Sequence, residues 1–367
     1  MPSLLSPLKL GDIDLAHRVV MAPLTRMRAR QPGNTPAELN VEYYRQRASV
    51  GGLIITEATQ ISPTGQGFPA TPGIYSAEQV AAWRRVTDAV HANGGRIVLQ
   101  LWHVGRISHS SHLPNGRRPV APSPLRPAGN ALNSNWQRVP FETPHELSIG
   151  EIWETIEDYR LAASNALKAN FDGVEIHGAN GYLLDQFLQD GTNQRSDRYG
   201  GSIENRSRLL LEVVDAAIAI WGNGRVGVRL SPFGSYADIR DSNPEALFTD
   251  VIGKLSSRQS AYLHLIEPRA SGVTGSDDLN HAAPLTSSIF RSAFNGPLIA
   301  AGCFTKATAE AAIESGLADA VAFGRLFLAN PDLPRRFEVD GPLSPHDRST
   351  FYGGGEAGYT DYTKLDR

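Results

Sequence analysis

Cysteine is nearly missing from this sequence, with Cys303 the only one in 367 residues. One thiol rules out an internal disulfide and any iron–sulfur cluster that needs several thiolates from a single chain. It also suits a reducing compartment, so a cytoplasmic protein is expected. No apolar run approaches the roughly 18 residues of a membrane span. The segment from Met1 to Leu15 carries Asp12 and Asp14 and lacks a basic start followed by a long apolar stretch, so no signal peptide is expected. Formal net charge is only −3, and no dense block of Lys and Arg occurs. The electrostatic footprint of a nucleic-acid binder is therefore absent, and small molecules are the expected partners.

What is present is ordinary globular composition, 41% hydrophobic and 20% charged, enough for a large core. Eight short apolar runs predict strands: Val19 to Met21, Leu53 to Thr56, Arg96 to Leu101, Gly173 to Ile176, Val226 to Leu230, Leu263 to Ile266, Leu298 to Ala301 and Ala320 to Phe323. Runs of this length without alternation predict strands buried on both faces, as a parallel barrel requires. Helical patterns lie between most of them. Ser76 with Gln79 and Ser148 with Glu151 are capping boxes, and Asn243-Pro244 reads as an N-cap and first helical residue. Eight alternating units predict an α/β fold, a single (β/α)8 TIM barrel over residues 1–367.

One connection is too wide. Residues Gly105 to His145 hold seven prolines and little periodicity, which disfavours a regular helix. Residues 105–147 read as an insertion capping the barrel mouth after strand 3, with a disordered surface loop as the alternative. Gly222-Asn-Gly-Arg-Val-Gly227 matches a dinucleotide fingerprint but precedes its strand, whereas a phosphate loop must follow one, so a turn is expected. His109 and His112 stand at i, i+3 without an obvious third ligand, so no metal site is expected. Gly353 to Gly355 read as a flexible turn beside Tyr352, which is placed to reach the mouth.

In such barrels the active site lies where the strands end. The residues there are Pro23, Leu24 and Thr25 after the first strand, Glu57 and Ala58 after the second, and Gln100, Trp102 and His103 at the third. His177, Asn180 and Tyr182 follow the fourth, Arg229 closes the fifth, Gly302 follows the seventh, and Gly324 with Arg325 the eighth. The set suits an anionic, planar, hydrogen-bonding ligand. Gly302, Gly324 and Arg325 form a candidate phosphate site, since glycine admits close backbone approach and arginine offers a bidentate fork; singly, each glycine also reads as a tight turn. Arg229 among apolar neighbours needs an anionic or accepting partner, either a ligand or a structural salt bridge. His177 and Asn180 aim two donors at one point, which suits a developing oxyanion, and Tyr182 is placed to donate a proton.

The stretches Val174-Glu-Ile-His177-Gly-Ala-Asn180-Gly-Tyr182 and Asn193-Gln-Arg-Ser-Asp197-Arg-Tyr-Gly-Gly-Ser-Ile-Glu-Asn-Arg206 resemble the old yellow enzyme family. They are most like its bacterial branch of pentaerythritol tetranitrate, N-ethylmaleimide and morphinone reductases. Met21-Ala-Pro-Leu-Thr25-Arg, Gln100-Leu-Trp-His-Val-Gly-Arg106, Ala320-Val-Ala-Phe-Gly-Arg325 and Phe351-Tyr-Gly-Gly-Gly355 extend the resemblance over nearly the whole chain. It implies tightly bound, non-covalent FMN, with the phosphate near Gly302, Gly324 and Arg325 and the isoalloxazine contacted by Pro23, Thr25, Ala58, Gln100 and Arg229. His177 and Asn180 would bind the substrate, and Tyr182 would protonate it. NADPH or NADH would be the reductant, bound in alternation with the oxidant, so no second nucleotide fold is needed. Trp102, Phe68, Tyr352 and Phe233 would shape the pocket, each with core packing as its alternative; Phe68 stands where near relatives carry tyrosine.

The resemblance implies an enzyme of the NADPH dehydrogenase type, an ene-reductase acting on α,β-unsaturated carbonyl or nitro compounds. Three alternatives stay open. One keeps the flavin but reduces nitrate esters, nitroaromatics or quinones. Another is a non-redox phosphate-binding lyase or isomerase; Schiff-base chemistry is disfavoured because Lys9, Lys168, Lys254, Lys306 and Lys364 all fall outside the strand ends. The last is an idle flavin carrier.

Overall fold

The structure is a computed structural model that describes residues 2–268 and 285–365. Residues 1, 269–284, 366 and 367 of the expected barrel unit lie outside the described residues. Eight parallel strands form the centre: β1 (Val19–Met21), β2 (Leu53–Ile55), β3 (Arg96–Trp102), β4 (Gly173–Gly178), β5 (Val226–Leu230), β6 (Tyr262–Ile266), β7 (Leu298–Ala301) and β8 (Ala320–Phe323). They pair in chain order, and β8 also pairs with β1, through Val321 opposite Val19, so the ring closes. All eight runs expected from the sequence are strands, with ends moved by at most two residues.

Side chains alternate across each strand. Val19, Met21, Ile54, Ile97, Leu99, Val174 and Ile176 face outward and pack with Trp83, Tyr159 and Leu209 of the surrounding helices. Val20, Ala22, Leu53, Ile55, Val98, Ile299, Ala301, Ala320 and Ala322 form a second apolar cluster inside the barrel. The absence of alternation holds for β1, β2, β7 and β8 but not for β4 to β6. There the inward positions are Glu175 and His177, Gly227 and Arg229, and Tyr262 and His264. One side of the lumen is thus apolar and the other polar.

An antiparallel hairpin of Leu8–Leu10 and Ile13–Leu15 closes the N-terminal end, with Leu10, Ile13 and Leu15 inserted into the lumen cluster. Its turn meets Gly224, whose carbonyl accepts from the Asp12 amide at 2.8 Å. Gly11 at the tip has φ +55°, and a Cβ there would lie 2.3 Å from Gly224 O. The Gly222 to Gly227 stretch is therefore the expected turn, one 3-10 turn ahead of β5 that packs against this hairpin.

The helices start where the caps predict. Ser76 and Gln79 cap Ala77–Ala92, Ser148 and Glu151 cap Ile149–Lys168, and Asn243 caps Pro244–Ser257. Residues 105–147 contain two 3-10 turns, a parallel pair of Val120–Ala121 with His145–Glu146, and a hairpin of Asn130–Leu132 with Arg138–Pro140. From that hairpin and its exit, Ala131, Val139 and Phe141 pack with Ala58, Trp102 and Tyr182. His109 and His112 are used internally: His109 Nδ1 accepts from the Ser111 amide, and His112 Nε2 lies 2.7 Å from Leu132 O.

Candidate active site at the C-terminal rim

The polar lumen residues of β3 to β6 rise to the C-terminal rim. Gln100 and Trp102 stand on β3, Glu175 and His177 on β4, and Arg229 on β5, where it is the register partner of His177. All five are buried. Above them lies an aromatic group. The Trp102 and Tyr182 rings meet edge to face at 4.9 Å, His177 and Tyr182 at 5.2 Å, and Phe68 stacks on Trp102 at 5.9 Å.

The turn that carries the proposed donor pair is held from behind. Asn180 has φ +56° and Gly181 φ +75°, a left-handed pair uncommon for a non-glycine residue. The Asn180 amide donates to Ser231 Oγ at 2.7 Å, and the Gly181 amide to Asp185 Oδ2 at 2.9 Å. The short helix Leu183–Leu188 then places Asp185 beneath the turn, where burial pushes its carboxyl up to about 7. Tyr182, at the head of that helix, has its hydroxyl pKa raised well above the usual range, first by burial and then by Tyr236 and Tyr352. It therefore keeps its proton at neutral pH. Burial, with Arg229 and His264 as lesser causes, lowers His177 well below the ordinary histidine value. His177 is therefore neutral rather than an imidazolium.

Pro23, Leu24 and Thr25 follow β1, half-buried, and buried Ala58 follows β2. Gly302 follows β7 with φ +130°, and Gly324 joins β8 to the Arg325–Ala329 helix. The Arg325 guanidinium donates to Cys303 Sγ at 2.8 Å. Arg348 lies close enough to lower the pKa of Arg325, after burial, and of His346. Two cations thus converge where β7 and β8 end, a charge pattern that suits an anion. Tyr352 is exposed but near enough to act on Tyr182. Phe233 meets Phe290 at a tilt, ring centroids 5.9 Å apart, against the outer core, so for it packing is the role observed.

These residues fit a flat polar ligand. Thirteen buried side-chain polar atoms among the described residues have no hydrogen-bond partner, and three of them are Trp102 Nε1, His177 Nδ1 and Arg229 Nε, although buried donors are nearly always paired. All three belong to the rim. The sequence reading did not single out Glu175, His264, Asp185, Ser231 or Arg348. For Glu175 and His264 a signal existed: both are ionisable residues inside buried strands, at the same alternation parity as Arg229.

A closed parallel barrel serves many chemistries, and a rim of this composition suits a flavin-linked oxidoreductase. The chain matches the NADH:flavin oxidoreductase / NADH oxidase family over residues 3–343. It is 48% identical to 12-oxophytodienoate reductase 1 of Oryza sativa subsp. japonica, covering 99% of this chain and 93% of that protein. Identity to 12-oxophytodienoate reductase 2 of Arabidopsis thaliana is 47% over 99% of this chain and 96% of the relative. Among solved structures, morphinone reductase in complex with tetrahydroNAD superposes with TM-score 0.92 at 48% identity, over 100% and 98% of the two chains. The old yellow enzyme homologue of Zymomonas mobilis gives TM-score 0.93 at 45% identity, over 99% and 100%. The chain belongs to this old yellow enzyme family, whose members are FMN-dependent oxidoreductases that use NAD(P)H. No helix among the described residues is long and apolar enough to cross a membrane.

Proposed function

We propose that the protein is an NAD(P)H-dependent ene-reductase that reduces the C=C bond of α,β-unsaturated ketones, aldehydes, maleimides or nitroalkenes. The observation that carries this is the meeting of neutral His177, the braced Asn180 turn and protonated Tyr182 over a lumen lined by Gln100 and Arg229. Bound FMN supplies the hydride chemistry. Gly302, Gly324 and Arg325 would hold its phosphate, and Pro23, Thr25, Ala58, Gln100 and Arg229 its ring system. His177 and Asn180 donate to the carbonyl or nitro oxygen of the alkene and so polarise it. Tyr182 delivers a proton to the carbon next to that group. Trp102, Phe68, Tyr352 and the hairpin of residues 105–147, which would cap the mouth, exclude water from the stacked reactants.

The test is spectroscopic. The purified protein should be yellow, lose its colour anaerobically with NADPH or NADH, and regain it with 2-cyclohexenone. Failure of the colour to return would exclude the alkene assignment. His177→Ala should weaken phenol binding and slow alkene reduction by about a hundredfold while flavin reduction changes far less. Tyr182→Phe should slow proton delivery by about a hundredfold, least for substrates whose product anion is already stable. Parent-like rates with 2-cyclohexenone in both variants would refute these roles.

A further inference from the structure

The strongest unexplained feature is a charge inside the barrel. Glu175 is fully buried on β4. Its Oε1 accepts from Gln100 Nε2 at 2.7 Å and its Oε2 from His264 Nδ1 at 2.8 Å. Burial pushes its carboxyl up, but His264, Arg229 and Gln100 outweigh that and hold it below the usual range. Burial lowers His264 against the opposing pull of Glu175, and facing a carboxylate its Nδ1 is the donor of the pair. The arrangement depends on Gly227, which lies opposite Glu175 in the register. A Cβ at Gly227 would fall 2.2 Å from Tyr262 Cζ, so the missing side chain is what makes room for the Tyr262 ring inside the lumen.

The carboxylate also has a guanidinium at hand. Arg229 points inward two residues further along β5 and interacts electrostatically with Glu175, yet it forms no salt bridge among the described residues, and its Nε has no partner. The guanidinium is therefore balanced from below without being bonded there. Gln100 is constrained as well. An ionised carboxylate only accepts, so the Gln100 NH2 group must turn toward it, and the carbonyl oxygen remains for the mouth.

We propose that Glu175, held by His264, is a positioning residue that fixes the Gln100 amide and offsets the Arg229 charge, and thereby sets how strongly the mouth favours reduced over oxidised flavin. This rests on the reading of Gln100 and Arg229 as contacts of the flavin ring. Two-electron reduction leaves added negative charge on the pyrimidine side of that ring, which Arg229 stabilises and a carboxylate beneath it opposes. Removing the Glu175 charge strengthens the field felt by the reduced form.

The experiment is an anaerobic potential titration of the holoprotein against a reference dye, followed by flavin absorbance. At the potential where the parent is half reduced, Glu175→Gln should raise the ratio of reduced to oxidised flavin by about tenfold. Glu175→Asp keeps the charge and should stay within about threefold of the parent. An unchanged ratio in the Gln variant, or the same change in both, would overturn the proposal, since a merely structural role would not distinguish them. If the Gln variant loses FMN during purification, the dissociation constants of oxidised and reduced FMN give the same ratio by a thermodynamic cycle. If it does not fold, the double variant Glu175→Leu with His264→Leu leaves no stranded imidazole and should show the same rise. A colourless parent protein overturns the reading of the rim itself, which separates that failure from this one.

Discussion

Glu57 follows β2 and lies almost wholly buried between two tyrosines and two arginines. Its Oε2 accepts from the Arg26 amide at 3.3 Å, and its own amide donates to Tyr44 Oη at 2.9 Å. Burial raises its carboxyl to about 7, above the roughly 4.3 of an exposed glutamate. Between those values the native chain keeps a proton that the unfolded chain releases. This contribution to stability is complete below about pH 4 and drains away as pH climbs through about 7, to a total of about 3 kcal/mol. Glu57→Gln should flatten the profile of melting temperature from pH 5 to 8, leaving the decline due to Asp185. Parallel profiles in parent and variant would mean that Glu57 does not titrate in this range. At this scale the sequence was only partly readable. His177, Asn180, Tyr182 and Arg229 stand at strand ends, where position marks them. Glu175 and His264 are hidden inside short strands, and Asp185 and Ser231 act on a turn whose left-handed backbone leaves no plain trace in residue types.

Among the elements, the C-terminal loop is the one most dependent on side chains. Arg28 donates to the carbonyls of Arg26, Thr350, Phe351, Gly355 and Ala357, and Arg26 to those of Thr350, Phe351 and Gly358. Both guanidiniums lie over the Tyr359 ring, which stacks on Tyr43 at 4.0 Å. The loop carrying Tyr352 is thus pinned to the segment just beyond Thr25. Arg28→Met keeps the apolar stem and removes five carbonyl contacts, so it should cost about 2 kcal/mol or more in denaturant unfolding and speed tryptic cleavage at Arg348. It should also raise KM for the alkene. Unaltered cleavage would show that the loop is held by its other contacts. The strands and the three best helix starts were legible because each rests on local chemistry: β-branched runs, capping boxes and a proline at a first turn. The small pairs inside residues 105–147 were not. Two- and three-residue strands carry too little pattern, and their pairing is set by distant partners such as Tyr182 and Trp102.

For the whole molecule, the decisive features are ring closure and the hairpin at the N-terminal end. Leu10 is fully buried in the lumen, so Leu10→Ala should cost about 2–5 kcal/mol, with the loss shared by all eight strands. Calorimetry should show one transition moved to lower temperature. A separate early transition would mean that the hairpin unfolds by itself. The hairpin also makes the barrel a cup rather than a tube. The labile hydrogen that His264 gives to Glu175 should then trade with solvent over the brim. When a flat aromatic guest rests there, deuterium uptake at that site should fall steeply, and it should recover once the guest departs.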